Sequence, residues 1–172
     1  MFFTIRFLLM NSCKNEQSLQ SYLVDTSGKE GFYTGDIPVS SVLSPKANVS
    51  DDVKETIQSI KKINVVFLPK TTANENAYEA EKTKLKNILK DNKNYKSLMS
   101  MKMQGMNVNI YYSGNTDAID EVVAFGYGDK NGVGVARLLG ENMNPAKVIE
   151  MLNGVQMDEN SLGNLGSIFN GI

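Results

Sequence analysis

Tyr95-Lys-Ser-Leu-Met-Ser-Met-Lys-Met-Gln-Gly-Met-Asn-Val-Asn-Ile-Tyr-Tyr112 decides how this chain folds. In its first half Tyr95, Met99, Met101 and Met103 are apolar while Lys96, Ser100 and Lys102 are polar. That period of two predicts a strand with one core face and one wet face, and it places Tyr95 on the methionine side. Gln104-Gly105 supplies a short turn, after which Met106, Val108, Ile110 and Tyr112 alternate with Asn107, Asn109 and Tyr111. A matching return strand, and so a β-hairpin, follows. Residues 113–117 turn the chain into a third strand over 118–127, whose Val122-Val-Ala-Phe125 run is apolar on both faces and belongs inside the sheet. Residues 129–132 make the last turn, and a fourth strand over 133–140 carries Arg137 among apolar neighbours. Antiparallel pairing through short turns is the economical arrangement.

Working outward, Leu19, Tyr22 and Leu23 at i, i+3 and i+4 predict a helix over 16–25, stopped by Ser27-Gly28. Residues 32–39 read as a strand that Gly35 and Pro38 confine to an edge, and 40–48 as a loop. Ser50 caps the next helix, with Asp51 and Asp52 beside its positive end and Val53, Ile57 and Ile60 as its apolar stripe. The run 63–68, bounded by Pro69, suits a buried central strand. The longest helix spans 74–90, with Tyr78, Leu85, Ile88 and Leu89 inward and Glu79/Lys82 and Glu81/Lys84 as i, i+3 pairs. Beyond the meander, Asn144-Pro145 starts a helix that Gly154 stops. A tail over about 158–172 sets Leu162, Leu165, Ile168, Phe169 and Ile172 on one helical face. Gly163, Gly166 and Gly171 weaken it, so it is expected to dock on the body or on a partner. The expected architecture is α+β: a two-layer sandwich, mainly antiparallel, with a C-terminal four-stranded meander and helices packed on one face.

Composition bounds the chemistry. The 172 residues, 41% hydrophobic, make one domain with an ordinary core, and 9 Met with no Trp point to adaptable packing. A net charge of −1 without a basic run lacks the electrostatic footprint of a nucleic-acid partner. No His and one Cys exclude imidazole acid–base catalysis, Ser-His and Cys-His pairs, Cys/His zinc sites and an intrachain disulfide. The expectation is a protein that is not an enzyme and carries no cofactor or metal. A hydrolase built on carboxylates would require two acidic groups converging in a cleft.

Met1-Phe-Phe-Thr-Ile-Arg-Phe-Leu-Leu-Met-Asn-Ser-Cys13 is apolar with one positive charge, and the chain turns polar at Lys14-Asn-Glu-Gln-Ser18. It is shorter than the ~20 apolar residues that span a bilayer. It resembles the end of a bacterial lipoprotein signal, in which the peptide is cut before a Cys whose thiol receives lipid. On that reading 1–12 is a signal segment, Cys13 is the lipidation site and 13–172 is a single α+β domain. The competing reading makes 2–10 a buried strand or helix and Cys13 a core thiol.

The Cys-terminated signal, Lys29-Glu-Gly31 after the first helix, Tyr95-x-x-Leu-Met99, Asn107-Val-Asn-Ile-Tyr111, Ile119-Asp-Glu-Val122 and Ala136-Arg-Leu-Leu-Gly140 together resemble a family of uncharacterised bacterial envelope lipoproteins, domain of unknown function 4252, found mainly in Bacteroidetes. The resemblance implies a protein anchored by lipid in the cell envelope, expected at the outer membrane and facing periplasm or exterior. It supplies no catalytic residues.

Three constellations suggest sharper chemistry, and each has a plainer explanation. Met99, Met101, Met103 and Met106 offer thioethers suited to Cu(I), but the period of two puts the first three on the core face. Gly126-Tyr-Gly-Asp-Lys-Asn-Gly132 has a dinucleotide-loop look, yet lies between two strands, as a hairpin turn does. Asp117, Asp120, Glu121 and Asp129 offer oxygens for calcium without EF-hand spacing. The leading expectation is a lipid-anchored, non-enzymatic interaction or structural module working on an envelope protein. The alternative is an envelope lipoprotein that binds a small apolar ligand in a cavity between sheet and helices.

Overall fold

The computed structural model describes residues 17–39, 44–45, 49–90 and 92–156. Residues 1–12, Cys13 and the tail 158–172 lie outside the described residues. The elements in chain order are α1 (Leu19–Thr26), β1 (Tyr33–Ile37), β2 (Ser44–Pro45), α2 (Asp51–Ser59), β3 (Ile60–Pro69) and α3 (Glu75–Lys90). They are followed by β4 (Lys96–Met103), β5 (Met106–Asn115), β6 (Ala118–Gly128), β7 (Gly132–Met143), α4 (Pro145–Gly154) and β8 (Val155–Gln156). Six strands form one antiparallel sheet in the order β1-β3-β7-β6-β5-β4, and β2 pairs with β8.

Local chemistry accounts for most boundaries. The Ser18 and Ser50 hydroxyls accept from Ser21 N and Val53 N at the starts of α1 and α2, and Asn144 Oδ1 accepts from Ala146 N at 2.9 Å at the start of α4. At the β4–β5 turn Gln104 and Gly105 both have positive φ, 50° and 78°, the paired left-handed geometry whose twist matches a tight hairpin. β1 is an edge strand with Pro38 just past its end, where the missing N–H costs no ladder bond. β3 begins at Ile60, earlier than the run 63–68 suggested, and lies between β1 and β7.

The class is α+β, as the sequence predicts: an open antiparallel sheet, with the four-stranded meander β4–β7 as its C-terminal part. α1 over β3 and α3 over β6 and β7 form the helical layer on one face. Tyr22, Tyr78, Leu85, Leu89, Val123 and Phe125 fill the space between, each 2% exposed or less. α2 and α4 add to the two-layer picture by covering one end of the opposite face, with Val53, Ile57, Val148 and Met151 packed on Ile63, Ile119, Val122 and Leu138. The alternation along β6 makes this possible, since Val122 enters one core and Val123 the other. At ~1.5–3 kcal/mol per fully buried large apolar side chain, both cores matter to stability. On the side of α2 and α4, Phe67 crosses Gly134, where a Cβ would stand 2.5 Å from Val66 O and 2.7 Å from Phe67 Cδ2.

One sequence expectation is corrected. Tyr95 does not share a face with Met99, Met101 and Met103: it packs with the α1/α3 core, whereas the methionines pack, partly buried, against the core of α2 and α4. The register of β4 on β5 shifts between Ser97 and Met99, so Leu98 is an extra residue. A one-residue bulge inverts the alternation on either side of it.

Candidate functional site

α3 reaches over β6 and β7 but not squarely over the outer strands, so a cleft opens where its last turns meet β4, β5 and β6. The cleft measures about 410 Å³, and Lys86, Leu89 and Lys90 line it from the helix. Tyr95 and Ser97 enter from β4 and the residue before it, Asn109 and Tyr111 from β5, and Phe125 and Tyr127 from β6. Leu89 and Phe125, at 0% and 1% exposure, are its rigid floor. Lys86 and Lys90 are exposed at its rim, and no carboxylate is among its described lining residues.

The strand pattern explains the wall. Asn107, Asn109 and Tyr111 alternate with the core-facing Val108 and Ile110, so β5 presents amide, amide and phenol to the α3 side. Ser100 Oγ donates to Asn109 Oδ1 at 2.8 Å across the β4–β5 pair. Partial burial first, then the Tyr127 phenol further along the same face, raises the Tyr111 pKa above the ordinary phenol value. Phe125 and Tyr127 have ring centroids 5.3 Å apart, close enough for a favourable tilted contact.

Behind the cleft a polar chain ties Tyr95, just ahead of β4, to β6, β7 and α1. Tyr95 Oη donates to Glu121 Oε1 at 3.0 Å, and Arg137 Nε donates to the same oxygen at 2.9 Å with both charged side chains largely shielded. Arg137 Nη1 also donates to Gln20 Oε1 of α1. Burial first, then the Glu121 charge and hydrogen bond, hold the Tyr95 hydroxyl well above its usual pKa. Since the lone pairs of Glu121 are shared between a phenol and a guanidinium, its role here is to fix Tyr95.

The other residues singled out from sequence are scattered. Met99, Met101, Met103 and Met106 line the opposite face of the β4–β5 hairpin, with Met101 across from Val108 and Met103 across from Met106. Glu121 is committed to Arg137, and Asp129 lies near Tyr78 and Lys70, so the four calcium candidates do not converge. Among the described residues no three His, Cys, Asp or Glu side chains group as metal ligands would, and no helix is long and apolar enough to cross a membrane. Residues 126–132 run from the end of β6 through the 129–131 turn to the first residue of β7, with Asn131 N donating to Gly128 O. Cys13 lies outside the described residues. The alternative reading placed a cavity between sheet and helices, but sequence reasoning named none of this cleft's residues as lining it. The wet face of β5 was a visible signal for Asn109 and Tyr111, but nothing local marks where α3 ends above the sheet.

The model of a family described as "Domain of unknown function (DUF4252)" matches residues 26–151, a span that contains the whole six-stranded sheet. No curated protein and no solved structure matches the chain.

Proposed function

Because the chain belongs to the DUF4252 family, which carries no assigned reaction, we propose its role from its own residues: a non-enzymatic, lipid-anchored module of the bacterial cell envelope that binds through the α3-side face of β4 and β5. The observation that carries the binding half is the cleft itself. The helical layer ends at the last turns of α3 while two more strands continue, and the side chains presented there are phenols, an amide and two ammonium groups rather than a converging pair of acids. Such a surface suits recognition, since it offers flat apolar area and hydrogen-bonding groups without a nucleophile–base pair.

The anchoring half rests on the sole Cys at the apolar-to-polar boundary of the N-terminal segment. Lipid on Cys13 would insert at ~0.8 kcal/mol per buried methylene, and several chains on one residue give stable attachment. From Cys13 to the start of α1 at Leu19 the chain reaches at most ~20 Å when fully extended. The anchor therefore holds the domain close to the bilayer surface, at the outer membrane facing periplasm or exterior, where an envelope protein or envelope material is its partner.

Membrane fractionation tests the anchor. The wild-type chain is expected in the membrane fraction, and Cys13→Ser in the soluble fraction. Retention of Cys13→Ser in the membrane would remove lipid attachment from the proposal.

A further inference from the structure

We infer that the cleft between the last turns of α3 and strands β4–β6 binds a hydroxylated ring bearing one carboxylate, the repeating unit of an acidic saccharide. This rests on the binding-module reading above and names its ligand.

Charge gives the first argument. Along α3, Lys82 pairs with Glu79 at 2.8 Å and Lys84 with Glu81 at 3.5 Å, but Lys86 and Lys90 have no acidic partner among the described residues. These two lysines stand four residues apart, the spacing that puts side chains on one helical face, where like charges repel unless an anion lies between them. They rim the same cleft, whose described lining holds no carboxylate.

The rings give the second. Tyr95, Tyr111 and Tyr127 wall the cleft over the Phe125 floor, offering flat apolar faces with hydroxyls at their edges. A sugar has the complementary surface, with C–H groups on its ring faces and hydroxyls around its rim. The Tyr111 and Tyr127 hydroxyls, Ser97 Oγ and the Asn109 amide nitrogen make no hydrogen bond among the described residues, so partners for a hydroxylated ligand are available. A purely apolar ligand would strip water from all of these without replacing it.

The helix end decides between one negative charge and many. Phosphate sites use helix N-termini, whereas this cleft lies at the C-terminal end of α3, where unpaired carbonyls carry partial negative charge. Two lysines offset that field and leave room for one carboxylate, not for a polyphosphate. At about 410 Å³ the cleft falls near the lower end of the ~300–1,000 Å³ typical of small-molecule sites, which fits one or two sugar rings.

Tyrosine fluorescence is a clean readout, because the full chain has 7 Tyr and no Trp. Titration should compare cellobiouronic acid, which carries one carboxylate, with neutral cellobiose and with inorganic tripolyphosphate. The expected result is a saturable change with cellobiouronic acid. Cellobiose should bind about tenfold more weakly or worse, the loss of one charge-assisted contact, and Lys86→Ala/Lys90→Ala should lose a similar factor without change in circular dichroism. Amide shift mapping should place the ligand at Ser97, Asn109 and Tyr111. Absence of a saturable change, equal affinity in the double-lysine variant, tighter binding of tripolyphosphate, or shifts confined to Met99–Met106 would each overturn the assignment. The Cys13→Ser fractionation is independent: a failed titration with Cys13-dependent membrane retention removes the ligand and leaves the anchored module, and the reverse pair of results removes the anchor alone.

Discussion

The two faces of the sheet are built from alternate residues of the same strands, yet they are packed in different ways. Under α1 and α3 the core is rich in phenols, and each of its main ones is tied to a carboxylate: Tyr22 beside Glu81, Tyr78 to Asp129 and Tyr95 to Glu121. Under α2 and α4 the core is aliphatic, dominated by Ile57, Ile60, Ile63, Ile110 and Ile119 with Met143 and Met151, and it continues into the partly buried Met99, Met101, Met103 and Met106. Hydrogen-bonded phenols accept only one arrangement, because a displaced hydroxyl leaves its partner unsatisfied. Thioethers and branched aliphatics tolerate several. One face is thus specified by direction and the other by volume. The cleft stands at the border of the specified face, where the buried Leu89 and Phe125 and the hydrogen-bonded Tyr95 give it a fixed base.

Substitutions on the phenol side should therefore cost more than comparable ones on the methionine side. The largest effect is expected for Phe125→Ala, which empties the floor beneath α3 and removes a side chain only 1% exposed. A loss of ~3–5 kcal/mol in urea unfolding is expected, and a loss under 1 kcal/mol would mean that α3 is not held by this contact. Next is Arg137→Ala. Glu121 would then sit at about one-eighth exposure without its cation, and a loss of ~2–3 kcal/mol is expected, below the range for fully buried pairs. Adding Glu121→Gln should restore part of that loss; if the double variant is no better than Arg137→Ala, charge is not what Arg137 supplies.

Alkaline titration sharpens the same comparison. Burial holds the Tyr22, Tyr78 and Tyr95 hydroxyls above the usual value of 10.0, with nearby carboxylates adding to the effect, and Tyr78 is pushed up to about 12. A phenol that keeps its proton longer when folded adds stability that is intact below pH 10 and is lost as pH rises toward the folded value. The urea midpoint should therefore fall between pH 10 and 12, and Tyr95→Phe should make the fall shallower while costing stability at neutral pH. A midpoint independent of pH across that window would contradict the phenol account.

These contrasts also show what the sequence could and could not reveal. The strands of the meander, the caps at Ser50 and Asn144 and the inward set Tyr78, Leu85, Ile88 and Leu89 are short-range chemistry and were legible. Tyr95 was misplaced because a bulge at Leu98 leaves no mark in the alternation of Lys96, Ser100 and Lys102. Glu81 makes the expected contact with Lys84, yet it is 5% exposed, because α1 returns from far along the chain to set Tyr22 over it. The cleft depends on how far α3 extends across strands that follow it in sequence, a tertiary quantity that no local pattern encodes. Cys13 was legible as the residue at the apolar-to-polar boundary of the N-terminal segment.

The smallest effect is expected at Met101, the middle of the methionine row, and it tests the contrast from the permissive side. Met101 lies across from Val108 on an edge strand and is only partly buried, so neighbouring side chains can move to accommodate a branched replacement. Met101→Leu conserves volume and should change stability by less than ~1 kcal/mol. Because Met101 points away from the cleft, the variant should also leave the tyrosine fluorescence titration unchanged. A loss comparable to that of Phe125→Ala would show that the methionine face is packed as closely as the phenol face, and adaptability would then no longer distinguish the two.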